Sequence, residues 1–221
     1  MVVIPDHQEV SKFPKAYKQA LDKELAYVVE KIRDFNTGLR DKSFQTYLLD
    51  VNCGTGRLIQ PAAKIVHHYM GLDNNYFSLR EAKEVARNLK NVELLNLDAN
   101  RTETLKSRKF DIATLLCNTI SYFEPEEDIL RKLDKMNRGQ IIVSANAKGN
   151  LAIRKEYYEL FGLEYEVNPE TETITSKEWG KNKAYSLEDL ETIAKGANLR
   201  IIDEENIDDV LYVVTLGKKK K

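Results

Sequence analysis

The sequence predicts an α/β fold in which a seven-stranded sheet, mostly parallel, ends in a C-terminal antiparallel hairpin and carries helices on both faces. Three observations predict it. Short apolar runs alternate with helix-period segments through the first two thirds of the chain, as repeated parallel β-α-β units do. The run FDIATLLC at residues 110–117 is almost wholly apolar, which a strand covered on both faces requires. The final two apolar runs are separated only by residues 205–209, too short a link for a crossover helix, so they pair antiparallel.

The elements follow in order. Residues 15–35 place Tyr17, Leu21, Leu25, Val28, Ile32 and Phe35 at steps of three and four, an amphipathic helix opened by Pro14 and stopped by Asn36-Thr37-Gly38. A strand at 47–51 leads to a helix at 56–66, and a strand at 68–72 ends in Asp73. The helix at 76–89 has Leu79, Ala82, Val85, Ala86 and Leu89 on one face, and the strand at 92–97 ends in Asp98. After the apolar strand come a helix at 126–136 and a strand at 140–145. The rhythm then breaks. Residues 151–161 read as helix, and 163–177 alternate in a Thr- and Glu-rich manner that suits a short β excursion. Ser186 is an N-cap for a helix through Ala197, with Asp189 placed to complete a capping box. Strands at 199–204 and 210–216 close the chain, and 218–221 read as a solvated basic tail.

Composition narrows the function classes. With 42% apolar and 31% charged residues over 221 positions, the chain reads as an ordinary soluble globular protein with one well-buried core. A formal net charge of -1 gives no global basic field, which disfavours non-specific nucleic-acid binding while leaving room for a local patch. Two cysteines, Cys53 and Cys117, imply no disulfide framework. The start MVVIPDHQEV lacks the basic residues and apolar run of a signal peptide, and no apolar segment is long enough to cross a bilayer. A cytoplasmic protein without membrane contact is expected.

The most informative segment is LLDVNCGTGRLI at residues 48–59, where an apolar strand ends in an acidic residue and a small-residue loop opens directly into a helix. Such a loop lets backbone approach a ligand closely, and the helix start offers unpaired N–H groups. A dinucleotide loop wants G-x-G-x-x-G, whereas this one is N-x-G-x-G behind Asp50, and no G-K-[ST] follows to make a phosphate loop. A carboxylate at Asp50 would repel a pyrophosphate and suits an ammonium group. Asp73, at the next strand end, can accept from ribose hydroxyls, and Asp98, followed by Ala99, can bind an exocyclic amine. Three acidic strand ends in sequence order suit a cationic, phosphate-free adenosine ligand.

These residues resemble the class I S-adenosylmethionine-dependent methyltransferases, over roughly residues 45–145 and the closing helix and hairpin at 186–216. The resemblance implies a Rossmann-like fold, a transferase activity, S-adenosyl-L-methionine as cofactor and S-adenosyl-L-homocysteine as product. It assigns Asp50, Asn52, Cys53, Gly54 and Gly56 to the methionine part, Asp73 and Asn74 to the ribose, Asp98 and Ala99 to the adenine, and Cys117 to the floor. Asn52 stands where the family has its first glycine; Asn tolerates left-handed backbone angles, so the turn is expected to survive. The single domain of 1–221 then divides into an N-terminal helical cap (1–40), a cofactor-binding core (41–145), an acceptor-side insertion (146–182), a closing helix and hairpin (183–217) and the tail.

The acceptor side is less defined. The segment CNTISYF at 117–123 lacks the Asn-Pro-Pro-Tyr type sequence of adenine and glutamine amide methylation. It is closer to small-molecule N- and O-methyltransferases, with Asn118 and Tyr122 as acceptor-orienting candidates. Tyr17, Trp179 and Tyr185 are substrate candidates. The favoured reading is methyl transfer to an N or O nucleophile of a small molecule; an RNA or protein acceptor, or a non-catalytic S-adenosylmethionine-binding subunit, remains as the alternative. Oligomeric state is open. Several features read as packing. Cys53 and Cys117 end neighbouring strands, yet packing is favoured over a redox switch. His67 and His68 should point to opposite faces of a strand, and with His7 the only other histidine no metal site is expected. Tyr157 reads as a packing residue and Tyr158 as a surface residue.

Overall fold

The computed structural model describes residues 13–38, 45–105 and 107–219. His7, part of the proposed cap at 1–40 and the last two lysines of the tail lie outside them. The chain runs α1 (Lys15–Gly38), β1 (Tyr47–Val51), α2 (Ile59–Ala63), β2 (His68–Asp73), α3 (Tyr76–Ala86), β3 (Val92–Asn96) and β4 (Phe110–Leu115). It continues through α4 (Glu126–Met136), β5 (Asn137–Asn146), α5 (Leu151–Leu160), β6 (Tyr165–Asn168), β7 (Thr173–Ser176), β8 (Gly180–Asn182), α6 (Leu187–Gly196), β9 (Leu199–Ile207) and β10 (Leu211–Lys218).

A seven-stranded sheet has the order β3-β2-β1-β4-β5-β10-β9. β1 lies inside it, paired in parallel with β2 on one side and β4 on the other, and β10 runs antiparallel between β5 and β9. The alternation of a strand divides its side chains between two cores. Leu49 and Val51 of β1 join Leu115, Ile129, Leu133 and Leu190 on the face covered by α4 and α6. Leu48 joins Ala20, Val28, Ile32, Ile59 and Ala82 on the face covered by α1, α2 and α3. Apolar burial on both faces explains why β4 reads as an almost wholly apolar run.

Departures from the sequence reading sit at element ends. α2 is confined to Ile59–Ala63 because the preceding Gly56 is at φ 90°, outside helical angles. α1 continues through the expected stop to Gly38, and β5 starts directly where α4 ends. The β excursion is a separate antiparallel sheet, β6-β7-β8, whose third strand the alternation pattern does not reveal. It packs on α5 around Tyr158, Ile174 and Trp179. Among the described residues no helix is long and apolar enough to cross a membrane.

Ser186 caps α6 as expected: its hydroxyl accepts from Asp189 N at 3.1 Å, and Asp189 Oδ2 accepts from Ser186 N at 2.8 Å. Ser186→Ala leaves the Asp189 amide unpaired and is expected to lower stability by about 1 kcal/mol, read from urea unfolding.

Candidate functional site

The carboxyl ends of β1 and β4 part at the sheet's switch point, where the connections leave for opposite faces, and a cleft opens there. The loop after β1 forms one wall. Asn52 holds the left-handed turn at φ 55°, followed by Gly54 at φ 56° and Gly56 at φ 90°. A Cβ on Gly54 would meet nothing within 4 Å, so the loop backbone faces open space there. At φ 90° a side chain on Gly56 would be strained, and its Cβ would lie 2.4 Å from Ile59 Cδ1, which would have to turn away. The Asp73 carboxylate, buried at the end of β2, fixes the loop by accepting from Gly54 N and Asn75 N, both at 2.8 Å. Burial raises its pKa against the pull of those amides.

Asp50 is buried between its neighbouring strands. Its oxygens accept from Tyr69 on β2 at 2.5 Å and Thr114 on β4 at 2.6 Å. Burial pushes the carboxyl up to about 6, opposed by both hydroxyls and by Arg57. It is therefore a hydrogen-bonded group of the cavity wall.

Two charged residues that the sequence reading passed over organise the cleft. Glu24 of α1, fully buried, accepts from Arg57 and from Ser144 of β5, and from Cys117 N at 2.9 Å. Arg57, next after the loop, also donates to Leu21 O at 2.5 Å and touches Cys117 Sγ at 3.0 Å. Glu24 lies between Leu21 and Val28 on the apolar stripe of α1, and a charge at a core position was the available signal.

A second network joins the insertion to the sheet. Asn146 Oδ1 accepts from Tyr17 at 3.1 Å, while Asn146 Nδ2 donates to Asn182 Oδ1 at 2.9 Å. Buried Arg154 of α5 donates to Glu172 O at 2.7 Å and to Asn182 Oδ1 at 2.8 Å. Asn118, at φ 60°, accepts from Asn146 N at 3.0 Å and donates to Ser121 and to Lys183 O, each at 3.1 Å. Its amide is thus engaged on both sides within the fold.

The cavity of ≈ 1010 Å³, open to solvent, is lined by eight of the expected residues: Tyr17, Asp50, Asn52, Cys53, Gly54, Cys117, Tyr122 and Trp179. Gly56, Asp73, Asn74, Ala99 and Asn118 do not line it. Asp98 lies beyond its wall at the end of β3 and accepts from Asn100 N at 2.8 Å. Tyr185 belongs instead to the core beside α6, where its hydroxyl reaches Glu126 at 3.0 Å. Tyr158 is a correction: it is 1% exposed, because the small sheet covers the side of α5 that the helix pattern left to solvent. Tyr157 and Phe13 also line the cavity, in an aromatic cluster with Tyr17 and Trp179. His67 lies in the bend before β2, so strand alternation does not separate the pair, and both rings approach Tyr47, at 5.3 and 5.9 Å. The two cysteines are free, and Cys117 is exposed at the cavity wall, where Arg57 touches its sulfur at 3.0 Å.

Residues 42–196 match the sequence family described as Methyltransferase domain. No curated protein sequence matches the chain. The fold is similar to the CcbJ methyltransferase of Streptomyces caelestis, with TM-score 0.68 and 13% identity over 96% of each chain. It is also similar to an S-adenosylmethionine-dependent methyltransferase of Clostridium acetobutylicum, with TM-score 0.63 and 17% identity over 89% of this chain and 91% of that one. Magnesium protoporphyrin IX methyltransferase of Synechocystis PCC 6803, solved with bound SAH, gives TM-score 0.63 and 16% identity over 99% and 90%.

Two predictions follow from the buried charges. Glu24→Ala strands Arg57 without its partner and is expected to cost about 3–5 kcal/mol in denaturant unfolding. For Asp50, the folded carboxyl titrates at about 6 and the free one at 3.8, so between those values only the folded state holds the proton. Stability therefore falls as pH rises through that window, and the penalty is complete above it. Asp50→Asn, which carries no charge to desolvate, is expected to be more stable than the parent by on the order of 2–3 kcal/mol at neutral pH. That advantage should vanish in unfolding curves taken below the lower value.

Proposed function

The chain belongs to the class I S-adenosylmethionine-dependent methyltransferase family, and we propose that it transfers a methyl group from that donor to an N or O nucleophile of a small molecule. The observation that carries the reading is the cavity at the carboxyl end of β1, which runs from the glycine loop to an aromatic wall. A concave site lined by aromatic and apolar side chains with a few polar groups is the form of a small-molecule site, and a porphyrin is the named substrate of one structural neighbour.

The donor's fit rests on three features of the loop. Gly54 leaves open space over its backbone, Asn52 and Gly54 hold left-handed angles, and the buried Thr55 Oγ1 in the cavity wall has no hydrogen-bond partner. In this assignment Asp50, Asn52, Cys53, Gly54 and Gly56 surround the methionine part. Asp73 and Asn74 take the ribose, from the end of β2 beside the glycine loop that Asp73 holds. Asp98 and Ala99 flank the adenine, and Cys117 forms the floor.

The donor supplies an electrophilic methyl group on a sulfonium. The protein's part is to align the nucleophile behind it and to exclude water. Tyr17, Tyr122 and Trp179 contribute cavity wall to that task. Burial raises the Tyr122 phenol above its ordinary value, so it stays protonated and orients the acceptor as a hydrogen-bond donor, not as a base. Asn118 acts by fixing the segment that carries Tyr122.

Titration calorimetry with S-adenosylhomocysteine is expected to give binding in the micromolar range, and Asp73→Ala to weaken it at least about tenfold. Absence of heat with both the donor and its demethylated product would refute the reading.

A further inference from the structure

We propose that the methyl acceptor carries a carboxylate, and that Asn182 is the residue that selects for it, its Nδ2 donating to a carboxylate oxygen in front of the buried charge of Arg154. This rests on the cavity being the acceptor site and deepens that reading by naming the substrate class.

The first support is an amide whose direction is fixed. Asn182 lines the cavity, at the end where Trp179 and Tyr17 also contribute wall. Its Oδ1 accepts from Asn146 Nδ2 at 2.9 Å and from Arg154 Nη2 and Nε at 2.8 and 3.2 Å, with Asn118 Nδ2 further off at 3.4 Å. A guanidinium has donors only, so the amide cannot turn over without setting N–H against N–H. The oxygen therefore faces the fold, and the nitrogen, on the other limb of the same planar group, is turned away from it. Among the described residues Nδ2 has no hydrogen-bond partner. Nor is it sealed: Asn182 is half-buried, and this nitrogen stays open to solvent. The wall thus carries a donor of settled direction with nothing in the protein to receive it.

The second support is charge. Arg154 is 2% exposed, yet each of its partners is a neutral oxygen: Asn182 Oδ1, Asn182 O and Glu172 O. Glu172 turns its carboxylate to the Gly149 amide instead, at 2.9 and 3.0 Å. A buried charge without a counterion is costly, and burial accordingly pulls the Arg154 guanidinium below its ordinary value. The field of that charge reaches the cavity, where it acts on the Tyr17 phenol. Asn182 bonds the guanidinium and lines the cavity, so a carboxylate at Nδ2 gains both a hydrogen bond and the counter-charge. A neutral carbonyl gains the bond alone, and an ammonium group gains neither. The methyl donor, cationic at its sulfur, favours an anionic acceptor in the same direction.

The test uses benzoate, acetophenone and α-methylstyrene, probes of one shape that carry a carboxylate, a carbonyl and a carbon–carbon double bond in the same place. Trp179 is the only tryptophan and lines the cavity, so the single indole N–H resonance of isotope-labelled protein reports occupancy. At neutral pH benzoate is expected to bind at least about tenfold more tightly than α-methylstyrene, the size of one charge-assisted hydrogen bond, with acetophenone between them. Asn182→Asp keeps the oxygen that Arg154 and Asn146 use, so it should melt no lower than the parent. It exchanges the free donor for an acceptor and gives Arg154 a counterion. The variant should bind α-methylstyrene as the parent does and lose the preference for benzoate, whereas a merely structural Asn182 would leave that preference intact. The inference is overturned if benzoate fails to move the resonance, if either other probe binds as tightly, or if the preference survives in Asn182→Asp. No probe needs the methyl donor. Failure here with S-adenosylhomocysteine still bound overturns the acceptor class alone, whereas absence of S-adenosylhomocysteine binding strikes the enzymatic reading.

Discussion

The cleft depends on one buried ion pair. Glu24 comes from the helix before the sheet begins, and Arg57 follows the loop that ends the first strand. Taking both charges out of water costs several kcal/mol each, which their attraction offsets only if the remaining lone pairs and protons are also matched. Here they are, by Ser144, the amide of Cys117 and the carbonyl of Leu21. The pair therefore does more than join two residues. It fixes α1, the glycine loop, the end of β4 and β5 relative to one another, and the first three of these bound the cavity.

The opposite wall is held by hydrogen bonds centred on Asn182. Its side-chain oxygen accepts from Asn146 of the main sheet and from Arg154 of α5. Through that atom the small sheet, although built from its own strands, is tied to the end of β5. Tyr17 meets the same network through Asn146. The two halves of the cavity are thus linked polar group to polar group, and the aromatic rings between them have little freedom to shift.

Much of this was legible in the sequence because periodicity reports burial. The strand at 47–51, the helix at 126–136 and the Ser186 cap coincide with the structure, since each has a pattern or cap that needs no distant partner. Asn52 adopts the left-handed angle its side-chain type allows. What could not be read depended on tertiary neighbours. Tyr158 looked like a surface residue because nothing local signals the sheet that covers it, and Tyr185 looked like a substrate contact until its core neighbours were known. Asp50 was visible as an acid at a strand end, but the two hydroxyls that occupy it come from strands 19 and 64 positions further on. Glu24 did carry a local signal, a charge on the apolar stripe of α1, whereas Arg57 was an ordinary charge distinguished only by where the fold puts it.

The antiparallel insertion of β10 between β5 and β9 also sets an order of assembly. A chain emerging from the ribosome presents its N-terminal elements first, so β1 to β5 can pair long before residues 211–218 are available. Until then β5 is an unprotected edge carrying Ile141 and Val143, side chains that are buried in the finished sheet. The wall of the cleft is incomplete over the same interval, because Val210 just ahead of β10 accepts from the Ala147 amide and from the Asn150 side chain. The nascent protein thus carries a sticky half-sheet from the completion of β5 at Asn146 until β10 at Leu211–Lys218 slots into place.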